Sequence, residues 1–156
     1  MTKNILDGYN VTISVPPAFT GSTGNTRGDK DGTNTSFPLF YVHGEVKVIV
    51  YGVCTTTLVG AGTLEVGLAG NTALILPQVA DATTIAAGDV YVDASVAEVG
   101  GFVATVLPAA TYITNGSNIV ETSGTADITA GNIYYVCLWI PISDDGDVVT
   151  PYPRVN

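Results

Sequence analysis

Residues 131–142 read Gly-Asn-Ile-Tyr-Tyr-Val-Cys-Leu-Trp-Ile-Pro-Ile and contain no charged side chain. One parity carries Ile133, Tyr135, Cys137 and Trp139, and the other carries Tyr134, Val136, Leu138 and Ile140. Both faces are apolar, so the alternation of a half-wet strand is missing. A short run rich in aromatic and β-branched residues, closed by a proline, reads as a strand covered on both sides. The other covering layer is either a second sheet or a neighbouring subunit.

The rest of the chain has the composition of a β protein. Of 156 residues, 21 are Thr, 21 Val and 11 Ile. Such β-branched side chains lose rotamer freedom in helices and fit a pleated surface. Eighteen Gly and eight Pro divide the chain into short pieces, and no window sustains apolar spacing at helical period. Alternation predicts strands over residues 9–15 (Val11, Ile13 and Val15 inward), 38–43, 45–51 (Val46, Val48 and Val50 inward), 62–68, 73–76, 89–93, 102–107, 118–122, 126–129 and the run above. Residues 52–57 either continue the third of these or turn, and residues 81–88 are a loop or one helical turn. Asn115-Gly116 is a two-residue hairpin signal. Strands this short, with turns every 8–12 residues or so, predict an all-β, antiparallel β-sandwich or jelly roll.

Residues 1–37 differ from the body at 38–156. After Pro16 and Pro17, residues 21–36 are wholly Gly, Thr, Asn, Ser, Asp, Lys and Arg. Such a stretch has no apolar surface to bury, so it predicts an extended N-terminal arm with one strand. Arg27 and Lys30 lie in it, with Lys3 upstream.

Charge excludes some partners. Only 12% of residues are charged, and the formal net charge is −9. Phosphate would be repelled, so neither nucleic acid nor an anionic membrane is an expected partner. Residues 1–8 do not read as a signal peptide, and no apolar stretch reaches membrane-spanning length. Cys54 and Cys137 read as buried free thiols, with a disulfide open if their strands are neighbours.

No residue pattern calls for catalysis or a cofactor. His43 is the single histidine and has no activating neighbours, so it reads as a strand-edge residue. Asp144, Asp145 and Asp147, and the oxygens of residues 29–34, do not fit the calcium-loop template and read as solvated turns. Glu45, Glu65, Glu98 and Glu121 read as outward strand positions rather than a glycosidase pair. Arg27-Gly28-Asp29 matches the integrin tripeptide, a short match that arises easily by chance.

Three groups of phrases carry a resemblance. They are Gly-Glu-Val-Lys-Val-Ile-Val-Tyr-Gly-Val at 44–53, Ala-Gly-Thr-Leu-Glu-Val-Gly at 61–67 with Ala-Gly-Asn-Thr at 69–72, and residues 124–140. Over roughly a hundred residues the chain resembles small tailed-phage head decoration (capsid cement) proteins encoded near the major capsid protein. The resemblance implies a virion structural protein on the outer capsid surface, made in the host bacterial cytoplasm. It implies the major capsid protein as partner, a homotrimer and no enzymatic activity. On that reading Arg27 and Lys30 are capsid-contact candidates, and Tyr134, Tyr135 and Trp139 are subunit-interface candidates. The alternative is a glycan- or receptor-binding module of a phage head or tail fibre, which would place exposed aromatic residues over polar groups in a groove, drawn from Tyr91, Tyr112, Trp139 and Tyr152, of which Trp139 reads as buried.

Overall fold

The computed structural model describes residues 8–21, 26–31, 36–92 and 112–155, with Tyr112 and Ile113 described as backbone alone. The expected strand at 102–107, Lys3, Glu98 and residues 32–34 lie outside the described residues. Ten strands are described: β1 Asn10–Ser14, β2 Ser36–His43, β3 Glu45–Val59, β4 Thr63–Leu68, β5 Asn71–Val79, β6 Val90–Tyr91, β7 Tyr112–Asn115, β8 Ile119–Gly124, β9 Ala130–Pro141 and β10 Asp147–Val149. The only helix among the described residues is one 3-10 turn, Ala82–Thr84, whose N-cap Asp81 accepts a hydrogen bond from the Thr83 N–H.

The strands form two antiparallel sheets, the all-β sandwich that the β-branched composition predicts. One sheet runs β1-β9-β3-β6, with β7 also on β3, and the other runs β10-β2-β8-β4-β5. The charge-free run is β9, and it lies inside its sheet between β1 and β3. β3 continues straight through Gly52 to Val59, with register shifts after Cys54. Between the sheets sits one core, to which the first contributes Val46, Val48, Val50, Cys54, Ile133, Tyr135 and Cys137. Leu39, Phe40, Leu64, Val66, Leu76 and Ile119 face them from the second. Tyr91 ties the layers together: its buried hydroxyl donates toward the Pro77 and Leu64 carbonyls at 2.6 and 3.1 Å.

Several expectations need correction. Asn115-Gly116 makes no hairpin. β7 pairs with β3 in the first sheet, whereas β8 pairs with β2 and β4 in the second. Gly116 does adopt the positive φ that the signal implies, at 63°, but the turn carries the chain from one sheet to the other. The Gly116 N–H donates to the Gly44 carbonyl and the Val42 N–H to Asn118 Oδ1. Residues 127–129 are irregular rather than a strand, although Ile128 is fully buried.

The two cysteines are free. Their strands are indeed neighbours, but Cys137 stands opposite Val50 and Cys54 opposite Ile133. That register separates them by about 13 Å along the strands, well beyond the roughly 7 Å that a disulfide tolerates between Cα atoms.

The described part of the N-terminal segment is not a detached arm. β1 pairs along β9 from Asn10↔Trp139 to Ser14↔Tyr135. Its parity is the reverse of the expected one: Val11 is 57% exposed, and Ser14 is buried. The inward parity is polar because Thr12 joins the two sheets. Its hydroxyl accepts from Trp139 Nε1 at 3.0 Å and donates to the Val148 carbonyl at 2.9 Å, linking the first sheet to β10 of the second. Phe19 is buried in the core, and its N–H donates to the Gly131 carbonyl.

Candidate functional site

Arg27 shows why a polar segment can belong to a core. The Phe19 and Thr26–Asp29 stretch folds against residues 126–133, where the Ile128 N–H donates to the Gly28 carbonyl at 2.9 Å. Gly28 has φ +93°, and a Cβ there would lie 2.2 Å from the Ile128 carbonyl oxygen, so the approach needs glycine. This places the Arg27 side chain between the sheets, 2% exposed. Its Nε and Nη2 donate to the two oxygens of Glu121 at 2.8 and 2.7 Å. Nη1 donates to the Pro17 carbonyl at 2.9 Å and Asn132 Oδ1 at 2.7 Å, and Nη2 donates again to the Ile133 carbonyl at 3.0 Å. These five bonds use all five guanidinium donors. The Phe19 ring lies under the guanidinium at 3.9 Å.

Tyr135 closes the network. Its hydroxyl donates to Glu121 at 2.6 Å. Burial, and then the adjacent carboxylate, push the phenol well above its ordinary range, so it stays a proton donor. Burial opposes the charge of Arg27, but Glu121 beside it raises its pKa nonetheless.

Two expectations are thereby overturned. Arg27 is spent inside the fold and is not a capsid-contact residue, and its burial, with that of Asp29, removes the integrin reading. Tyr135 faces the core and is not a subunit-interface residue. Trp139 also packs against the core, while its indole N–H serves Thr12. Lys30 stays at the surface in an ion pair with Asp31 at 2.5 Å.

Tyr134 is the interface candidate that remains outward. With it on the outer face of β9 are Val136 and Leu138, joined by Ile49 and packed by Tyr9, Ile13 and Tyr51. Register aligns these residues in rows across three strands: Val11, Leu138 and Ile49, then Ile13, Val136 and Tyr51. This second apolar layer is what the both-faces-apolar run requires. Lys47 lies on the same face, its ammonium 5.9 Å from the Tyr9 ring.

At the margin of that face the C-terminal segment folds back along β1. The Val15 N–H donates to the Tyr152 carbonyl at 2.7 Å, and Ser14 bridges to Pro153. A groove of about 430 Å³ results, lined by Ile13, Val15, Tyr134, Pro153, Arg154 and Val155. Its side chains are mostly apolar, with the Tyr134 phenol and one guanidinium, and none of the described residues that line it carries a carboxylate.

The other polar groups do not converge. Glu65 accepts from Thr72 and from Gln78 Nε2. It pairs with Thr122 while Val66 pairs with Glu121, so the two glutamates project to opposite faces of the sheet. His43 is exposed on β2, opposite Asp147. Among the described residues no group of three His, Cys, Asp or Glu side chains could hold a metal ion. Comparison with protein families, curated proteins and solved structures returns no match for this chain.

The apolar outer face is legible in residues 131–142. The network is not: on pattern alone Glu121 reads as an outward glutamate and Phe19 as part of an arm. Pro17, Phe19 and Asn132 come to serve Arg27 only through a loop closure that no local pattern announces.

Proposed function

We propose that the chain is a virion structural protein that decorates and stabilises the outer surface of a phage capsid by binding the major capsid protein, as a homotrimer and without enzymatic activity. The observation that carries this reading is the outer face of β1-β9-β3. Three adjacent strands turn the part-buried Ile13, Tyr51 and Tyr134 away from the main core, packed on the buried Ile49, Val136 and Leu138, a broad apolar face rather than a cleft. The phrases at 44–53, 61–72 and 124–140 that resemble capsid cement proteins include β9 and much of β3, the strands that build this face. A chain with only 12% charged residues has little charge to desolvate when such a surface is covered. Weak contacts repeated over a lattice then suffice for retention through avidity.

The test is co-sedimentation of the purified protein with empty shells of the major capsid protein encoded beside it, together with the melting temperature of those shells. Saturable retention and a raised shell melting temperature are expected. Protein left in the supernatant, with unchanged shell melting, would refute the proposal.

A further inference from the structure

The groove at Arg154 has a counterpart elsewhere on the same chain. The chain carries 14 acids and 5 bases, so a cation without a partner is unusual in it. Arg27 is sealed against Glu121, Lys30 is paired with Asp31, and Lys47 stands over the Tyr9 ring. Arg154 is the one cation among the described residues with neither a carboxylate in ion-pair contact nor a ring beneath it. It is exposed beside uncovered apolar side chains, Val15 at 40% and Val155 at 91% exposure. The chemistry that fits is an apolar side chain followed closely by carboxylates.

The turn after β9 offers that combination. Ile142 is 50% exposed, and Asp144, Asp145 and Asp147 follow it. The turn is held in shape: the Ile142 and Ser143 N–H groups both donate to the Glu45 carbonyl, at 2.8 and 3.2 Å, and Ser143 Oγ donates to Asp145 at 2.6 Å. A pre-shaped knob loses little conformational freedom on docking. Within one copy the two cannot meet. The groove lies beside Tyr134, and the turn begins at the far end of the same strand, about 25 Å away at 3.3 Å per residue.

We propose that the turn at residues 142–147 of one copy docks into the Arg154 groove of a second copy, so that the chain self-associates head to tail. Contacts of this kind are heterologous, and they close into a ring when the rotation between copies permits; a trimer is one such ring. The inference rests on the self-association put forward above and names the surfaces that produce it.

Light scattering on a size-exclusion column tests it with the full chain, Arg154→Glu, Ile142→Ser and the swapped pair Arg154→Glu with Asp144→Arg. Residues 142 and 154 are exposed, so the unfolding midpoint of each variant should match that of the parent, which keeps folding out of the result. The parent is expected at a multiple of 16.0 kDa, each single variant at the single-chain mass, and the swapped pair back at the multiple. A parent that is multimeric and stays so in both single variants would overturn this interface while leaving self-association standing. A parent at the single-chain mass at every concentration would overturn both.

Discussion

Replacing Arg27 by Met isolates what the buried network does for the fold. Methionine keeps an unbranched apolar side chain beside Phe19 but ends two atoms short of the guanidinium nitrogens. Five donated bonds disappear. Glu121, 1% exposed, keeps the Tyr135 hydroxyl as its donor, and the Pro17 carbonyl, Asn132 Oδ1 and the Ile133 carbonyl lose the guanidinium. Breaking a buried ion pair from one side costs about 3–5 kcal/mol, because the stranded charge must be protonated or hydrated. That is a large share of the roughly 5–15 kcal/mol available to a domain. In urea, with a slope of about 1–3 kcal/mol per molar, the midpoint should fall by about 1 M or more. Arg27→Met with Glu121→Leu removes both charges and should recover part of the loss, though not all, since three acceptors stay without the guanidinium. Lys30→Ala, at a solvent-exposed ion pair, should leave the midpoint in place. A loss below about 1 kcal/mol for Arg27→Met would refute the reasoning, since the guanidinium would then not be sealed between the sheets.

Further outcomes follow from the same packing. Deleting residues 1–36 removes β1, Phe19 and Arg27 together and should abolish the folded β spectrum in circular dichroism; a cooperative unfolding transition in that fragment would show the segment to be dispensable. Ser14 is fully buried and its hydroxyl has no hydrogen-bond partner among the described residues, so Ser14→Ala should raise stability by about 1 kcal/mol, and a clear loss in chemical denaturation would contradict this. Burial pushes the Cys54 thiol up to about 11 and raises Cys137 further. Both should resist a thiol reagent at pH 8 until urea is added, and rapid native labelling would count against their burial. The raised folded-state pKa values favour the neutral thiol, so this contribution is complete below the unfolded-state value of about 8.5 and is lost as pH rises toward 11 and beyond. Unfolding midpoints measured from pH 8 to 10.5 should fall, and less so in Cys54→Ala.

Where side-chain period and burial agree, the fold is readable from the chain. β3 and β9 alternate in a way that assigns Val46, Val48 and Val50, and Ile133, Tyr135 and Cys137, to one face. The two-faced apolar pattern of β9 foretells a second layer without saying what provides it. β1 misleads because inward Thr12 and Ser14 look like surface residues and outward Val11 and Ile13 like core. Their placement depends on other strands, through Trp139 and Val148. Asn115-Gly116 has the turn chemistry of a hairpin, but pairing with β3 competes with local return and wins. Arg27 is hardest of all, since a guanidinium amid Gly, Thr and Asn is the usual sign of solvent. Its burial is set by Glu121, 94 residues away, and by Phe19.

That the chain works through the outer face of β1-β9-β3 is tested most directly by electron cryomicroscopy of decorated shells. Density is expected for the sandwich with Ile13, Tyr51 and Tyr134 covered by a neighbouring copy or by the shell. A decorated shell in which that face points to solvent, and the opposite sheet makes the contacts, would contradict it.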